Sequence, residues 1–193
     1  MNKQFYEYYV FLEQINNLVK KNLLKFSNIN IIIDIDHIDK KSLEDEYSII
    51  KFAKKNKIPF IIKNNFIKCI KYKANGIYID SKNRKIIKPF LLKKKFKIIG
   101  VAHNQLEYLK KKNQNCNLLM LSPVFNNEKY SQNKILNILK FNNKAQLWNT
   151  KICALGGINL ANIKKIKLLN VKAIAFKKFI FDSKIKKPAY NLM

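Results

Sequence analysis

Thr150-Lys-Ile-Cys-Ala-Leu-Gly-Gly-Ile-Asn159 packs a buried strand, a glycine turn and the start of a helix into one short stretch. Ile152 to Leu155 form an apolar run of the kind shown by a strand covered on both faces. Gly156-Gly157 ends it, and the chain resumes as Leu160 to Leu169 with apolar residues at 160, 163, 166 and 169, which is a helical period. Asn159 suits the N-cap. Glycines ahead of a helix let backbone N–H groups approach an anion, where the helix dipole adds positive charge. The same pattern serves a tight turn that needs small residues, and the local sequence leaves both readings open. Glycine is scarce, four residues in 193, and two of the four stand here. So sparing a use places glycine where a side chain would not fit.

Outward from this stretch the same rhythm repeats. Strands are expected over Phe5–Leu12, Ile29–Ile35, Ile58–Ile62, Gly76–Asp80, Phe96–His103, Asn117–Val124, Ile152–Leu155 and Val171–Phe176. Helical spacing follows over Ile15–Phe26, Leu43–Asn56 with an acidic first turn, Phe66–Tyr72, Leu106–Lys112, Lys134–Phe141 with Gln146–Trp148, and Leu160–Leu169, and a weak helical turn is expected in Ile86–Lys95. Alternating β and α units without hairpin signals predict an α/β fold closed as a (β/α)8 TIM barrel, one domain spanning 1–193. Active sites of such barrels lie at the carboxyl ends of the strands, and phosphate is commonly held after strands seven and eight. Those loops are Gly156-Gly157 and Lys177-Lys178, although a lysine pair in a lysine-rich chain is equally a solvated one. The period of two puts Ile32, Asp34 and Asp36 on one face of the second strand, both carboxylates toward its carboxyl end.

The net charge of +27 comes almost wholly from lysine, with Arg84 the single arginine. Recognition of bases and bidentate phosphate contacts favour arginine. The lysines are spread along the chain beside abundant Ile, Asn, Phe and Tyr, which points to genome composition and away from a dedicated nucleic-acid function. A basic surface still attracts small phosphorylated metabolites. No apolar run approaches the roughly 20 residues of a membrane span, and the opening residues lack the apolar core and cleavage site of a signal peptide. The expectation is a cytoplasmic protein with no membrane partner; its oligomeric state is left open. Cys69, Cys116 and Cys153, in apolar segments and without metal-type spacing, are expected as buried thiols.

Ile98-Ile-Gly-Val-Ala-His-Asn-Gln-Leu-Glu107, Leu121-Ser-Pro-Val-Phe125, Ala154-Leu-Gly-Gly-Ile-Asn159 with Asn162, and Ala173-Ile-Ala-Phe176 together resemble the thiamine phosphate synthase and TenI family. The resemblance is ordered, strong from about Pro59 onward and faint before it. It implies thiamine biosynthesis: an aminopyrimidine methyl diphosphate is joined to a thiazole phosphate, and diphosphate leaves. Loss of diphosphate leaves a pyrimidine carbocation that the thiazole nitrogen attacks, so the site must stabilise a leaving polyanion, normally with Mg2+ and basic residues.

This chain departs from the family pattern. The metal-binding aspartate expected after strand three falls at Asn64, flanked by Lys63 and Asn65, and a second, expected after strand four, falls at Asn83. Two lost charges weaken a Mg2+ site, for which Asp36 and Asp80 are the remaining candidates. The serine of the strand-five motif is Ala102, with His103 near where the family often carries histidine. The threonine-rich phosphate loop becomes Asn126-Asn-Glu-Lys-Tyr130, and the serine after strand eight becomes Lys178. The residues expected after strand two are not recognisable in Asp34-Ile-Asp-His37. Three functions are compatible with this set. A divergent synthase would use Lys63 on the diphosphate, Asn64 and Asn83 on substrate, and Gly156, Gly157, Lys177 and Lys178 on phosphate. A TenI-like thiazole tautomerase would use His103 as acid or base, since imidazole ordinarily titrates near neutrality, although Pro123 stands where TenI-type proteins tend to carry a histidine. A non-catalytic binder of a phosphorylated thiazole would need the phosphate residues alone. His37 and His103 are each also readable as structural histidines.

Overall fold

A strand covered by helices outside and by other strands inside must be apolar on both faces, and the short β-branched runs of this chain meet that demand. The computed structural model describes residues 6–36, 39–85, 96–126 and 135–185. In them β1 (Glu7–Leu12), β2 (Ile29–Ile33), β3 (Phe60–Lys63), β4 (Gly76–Ile79), β5 (Lys97–Ala102), β6 (Leu118–Leu121), β7 (Ile152–Leu155) and β8 (Ala173–Phe176) close into a parallel barrel in sequence order, β8 pairing back onto β1. The helices α1 (Asn17–Leu23), α2 (Lys40–Lys55), α3 (Phe66–Tyr72), α4 (Gln105–Asn113) and α5 (Asn137–Leu147) lie between strands. This is the TIM barrel that the β/α rhythm predicts.

The alternation within each strand sorts the core into two shells. Tyr9, Phe11, Ile32, Ile61, Tyr78, Ile99, Val101, Met120, Cys153, Ala173 and Ala175 fill the interior. Their neighbours in sequence, such as Val10, Ile31, Ile62, Leu119 and Ile174, pack outward against the helices. Inside, the small Ala173 and Ala175 of β8 stand beside the large Tyr9 of β1, since Tyr9 pairs with Ala175, and Phe11 meets Tyr78 edge to face at 5.2 Å. The three cysteines are buried and free, and burial pushes the Cys69 and Cys116 thiols up to about 12.

Several elements differ from their sequence expectation for definable reasons. Helix α2 begins at Lys40 because the Asp39 carboxylate accepts the Ser42 N–H at 2.7 Å, so Glu44, Asp45 and Glu46 fall beyond the first turn. Strand β6 ends at Leu121 because Pro123 brings no N–H to a ladder. The helix expected over Leu160–Leu169 is a short 3₁₀ segment, Ile163–Leu168. Asn159 caps a turn ahead of it, accepting the N–H groups of Ala161 and Asn162, and does not cap an α-helix. Phe5, His37, the stretch 86–95 and most of the loop 126–130 lie outside the described residues. No helix among the described residues is long and apolar enough to cross a membrane.

Candidate active site

Continuing the inward parity of each strand by two residues past the apolar interior reaches the carboxyl-terminal mouth. Ile32 leads to Asp34, Ile61 to Lys63, Tyr78 to Asp80, Val101 to His103, Met120 to Ser122 and Ala175 to Lys177. Polar side chains distant in sequence therefore arrive in one ring. Lys63 donates from Nζ to Asp34 Oδ1 at 2.8 Å and to Asp36 at 2.5 Å. Lys177 donates to the other Asp34 oxygen at 3.0 Å and to Glu13 at 2.5 Å. One carboxylate thus holds two ammonium groups, with the Lys63 and Asp34 side chains only 12% and 15% exposed. Burial acts to lower the Lys63 pKa, but its hydrogen bonds and attraction to Asp34 and Asp36 outweigh this, and the net shift is upward. Lys177 is raised in the same way against its own burial, by Glu13 and Asp34.

Beside this cluster Asn64 sits in the left-handed backbone region, φ 55°, which asparagine tolerates better than most residues. That turn brings its amide to Asp80: Asn64 Nδ2 donates to Asp80 Oδ2 at 2.7 Å, and Asn64 Oδ1 accepts from Asp80 N and from Asn83 Nδ2. Asp80 Oδ1 accepts the N–H groups of Lys82 and Asn83. Burial acts to raise the Asp80 carboxyl, while the Asn64 amide, the two N–H groups and the charge of Lys63 bring it below the usual range. Asn64, Asp80, Lys82, Asn83, Arg84 and Lys85 line a depression of about 550 Å³. From behind, Lys111 of α4, 2% exposed, ties down this loop by donating to Asp80 O, Asn83 O and Gln114 Oε1. Burial among neutral carbonyls lowers the Lys111 pKa.

Across the mouth the His103 Nδ1 lies 2.7 Å from the Ser122 carbonyl oxygen. A carbonyl can only accept, so Nδ1 carries the proton of the neutral ring and Nε2 is the acceptor. The glycine turn has φ of 100° at Gly156 and 71° at Gly157, both in the region that favours glycine. A β-carbon at Gly157 would come within 2.6 Å of the Asn126 carbonyl oxygen and also strike that of Phe125; one at Gly156 would press on Pro123 and Ser122. Conformation and packing against the loop after β6 account for both glycines, whether or not a phosphate also uses the turn. Lys177 and Lys178 diverge. Lys177 turns into the mouth toward Glu13 and Asp34, whereas Lys178 is exposed at the start of the 3₁₀ turn Phe179–Phe181.

Residues 12–180 match the family model described as thiamine monophosphate synthase. The chain belongs to that family. A thiamine-phosphate synthase of Pelagibacter ubique is 28% identical over 168 residues, 86% of this chain and 75% of the relative. That of Clostridium tetani is 32% identical over 147 residues, 69% of this chain and 66% of the relative. A Prochlorococcus marinus (strain MED4) synthase is 29% identical over 152 residues, but those span only 42% of its length. Among solved structures, thiamine phosphate pyrophosphorylase from Pyrococcus furiosus superposes with a TM-score of 0.72 over 98% of this chain and 94% of that one, at 13% identity, a likeness of fold. The family match reaches back to Leu12, well before Pro59, where the sequence resemblance becomes strong.

Membership in the thiamine monophosphate synthase family implies Mg2+, and the residues offered for it are Asp80, Asn64, Asn83 and Asp36. They do not fit the ion as arranged. Mg2+ demands near-octahedral oxygen ligands and prefers carboxylates. Both Asp80 oxygens face N–H donors, Asn64 Oδ1 takes two more, Asn83 Oδ1 accepts Lys85 N, and Asp36 holds the Lys63 ammonium. Among the described residues no group of three or more His, Cys, Asp or Glu is placed to hold a metal ion.

Of the residues expected from sequence, Lys63, Asn64, Asp36, Asp80, Asn83 and Lys177 come together on one side of the mouth, and His103 with the glycine turn lies near the loop after β6. Sequence reasoning did not assign Glu13, Lys82, Arg84 or Lys85 to the site, nor Lys111 behind it. Asp34 was legible through its shared parity with Asp36. Lys111 had no signal, being one lysine among many on a helix.

Proposed function

We propose that this chain is a divergent thiamine phosphate synthase, a transferase that joins an aminopyrimidine methyl diphosphate to a thiazole phosphate and releases diphosphate. The observation that carries the reading is the meeting of Lys63, Asn64, Asp80 and Asn83 at the carboxyl-terminal mouth of a barrel of this family. In this reading the C–O bond between the pyrimidine methylene and the diphosphate breaks, and its electron pair leaves with diphosphate. Lys63, with the cations Lys82, Arg84 and Lys85 around the depression, stabilises the charge that develops on the leaving oxygens. The Asn64 and Asn83 amides orient the diphosphate, and the thiazole nitrogen lone pair closes the new C–N bond. Lys178 and the backbone of Gly156 and Gly157 hold the thiazole phosphate at the far side. A second reading rests on the His103 geometry: an acceptor Nε2 opposite a fixed Nδ1–H is the state of a general base, as a thiazole tautomerase needs.

The deciding experiment titrates thiazole phosphate and then assays thiamine phosphate formation with the pyrimidine diphosphate added. Product formation that falls about 100-fold in Lys63→Met supports the synthase. Thiazole phosphate binding that is lost in Gly156→Asp, with no product, moves the assignment to a tautomerase or a binder, which His103→Ala separates. Binding of neither compound overturns the thiamine reading.

A further inference from the structure

We propose that the Lys63 ammonium is the resident cation of this site, standing in for a divalent ion, so that the mouth takes up a diphosphate group without a metal. The diphosphate half of this proposal rests on the synthase reading; the cation half stands on geometry alone.

Lys63 is the last residue of β3, next to Asn64, and its Nζ bridges Asp34 and Asp36, two carboxylates from the end of the neighbouring strand. Its charge is also felt at Asp80 across the cluster. Two carboxylates that follow one strand converge on a single cation, and here a side chain provides that charge where a metal would need further oxygen ligands. The exchange is consistent with the amides beside it. With Asn64 and Asn83 neutral, Asp80 is the one carboxylate among these three residues, whereas aspartates at 64 and 83 would have added two negative charges beside it. Asn64 then spends its N–H on Asp80, a contact an aspartate at that position could not make. Lys177 extends the arrangement, holding the second Asp34 oxygen and Glu13.

An ammonium has three protons, and among the described residues Lys63 and Lys177 each spend two of them on carboxylates. Each retains a direction in which to meet a phosphate oxygen. An incoming diphosphate competes with Asp36 and Glu13, whose side chains are 62% and 59% exposed and can turn to water, while Asp34 remains as the fixed counter-ion of both lysines.

The test uses Mn2+ as the probe, followed by loss of the free-ion electron paramagnetic resonance signal, on the full chain and on Lys63→Met and Lys63→Arg. The wild type should leave Mn2+ free. Lys63→Met, which removes the ammonium shared by Asp34 and Asp36, should bind it at least about tenfold more tightly, and Lys63→Arg should behave as the wild type. Inorganic pyrophosphate titrated into the wild type in excess chelator should bind, and Lys63→Met should lose about tenfold or more in affinity. Mn2+ bound by the wild type and released by Asp80→Asn would overturn the proposal, and so would a folded Lys63→Met that gains no Mn2+. If Lys63→Met fails to fold, the wild type, Lys63→Arg and Asp80→Asn measurements still decide. Absence of pyrophosphate binding with or without metal counts against the synthase reading and leaves the Mn2+ comparison to judge the cation.

Discussion

At the amino-terminal end of the barrel Glu7 gathers Lys97 and Lys151, and at the carboxyl-terminal end Asp34 gathers Lys63 and Lys177. Each end is one carboxylate from a strand terminus between two lysines, but the surroundings differ. At the lower end Lys97 gives its three protons to Glu7, the Tyr9 hydroxyl and Asn30, a closed set, and burial keeps the Tyr9 phenol protonated by pushing its pKa up. At the upper end the chain of ion pairs runs outward to Asp36 and Glu13, both mostly exposed. A closed network holds the barrel together, whereas an open-ended one can trade partners. The comparison teaches that the same ion-pair motif is closed or open-ended according to whether its donors are used up, and the open-ended one lies on the face where TIM barrels carry their active sites.

The largest effect expected from this contrast is on stability at the lower end. Glu7→Ala leaves Lys97 facing a phenol and an amide without a counter-charge and should cost about 2 kcal/mol in urea unfolding, with the activity per folded molecule retained. Asp34→Ala should cost less, about 1 kcal/mol, because Lys63 keeps Asp36 and Lys177 keeps Glu13, yet should weaken pyrophosphate binding severalfold. Equal stability losses at the two ends would remove the distinction. A pH series sharpens it. Burial acts to raise the Glu7 carboxyl, but Lys97 and Lys151 bring it below its ordinary 4.5, so its contribution is present above that value and is lost as pH falls through the lower folded one. Glu7→Gln should flatten the acid limb of the stability curve below about pH 4.5. Lys63 and Lys177 are raised above 10.5, so their contribution is full below that value and is lost only as pH rises through their folded values, and Lys177→Met should lower stability across the range below about pH 10.5 and flatten the alkaline limb. The smallest effect belongs to Lys151→Ala: its side chain is 54% exposed, and less than about 0.5 kcal/mol should be lost.

The barrel was legible because its signals are local. Short apolar runs such as Ile152–Leu155, and helices capped by Asn16, Asn65 and Asn104, repeat in the order that a closed sheet requires. The site was legible only where strand parity carries through, as from Ile32 to Asp34 and Asp36 or from Ile61 to Lys63. What a lysine does at the end of its flexible side chain is not written in its position. Lys177 and Lys178 are neighbours in sequence, yet Lys177 is half-buried against Asp34 while Lys178 is exposed, and Lys111 looks like a solvated helix residue until the fold buries it behind Asp80. The glycine turn is ambiguous in a further way. A seat for an anion and a close crossing of two loops impose the same demand for a missing side chain.

That crossing has a mechanical consequence. With Gly157 lying against the Phe125 and Asn126 carbonyls, and with Val124 and Phe125 donating to the Leu155 and Gly156 carbonyls, the segments after β6 and β7 are stitched into one lip. A ligand that shifts either segment must carry the other with it. Opening on this flank is therefore a single correlated displacement, and its rate should respond to substitutions on whichever strand the ligand never touches.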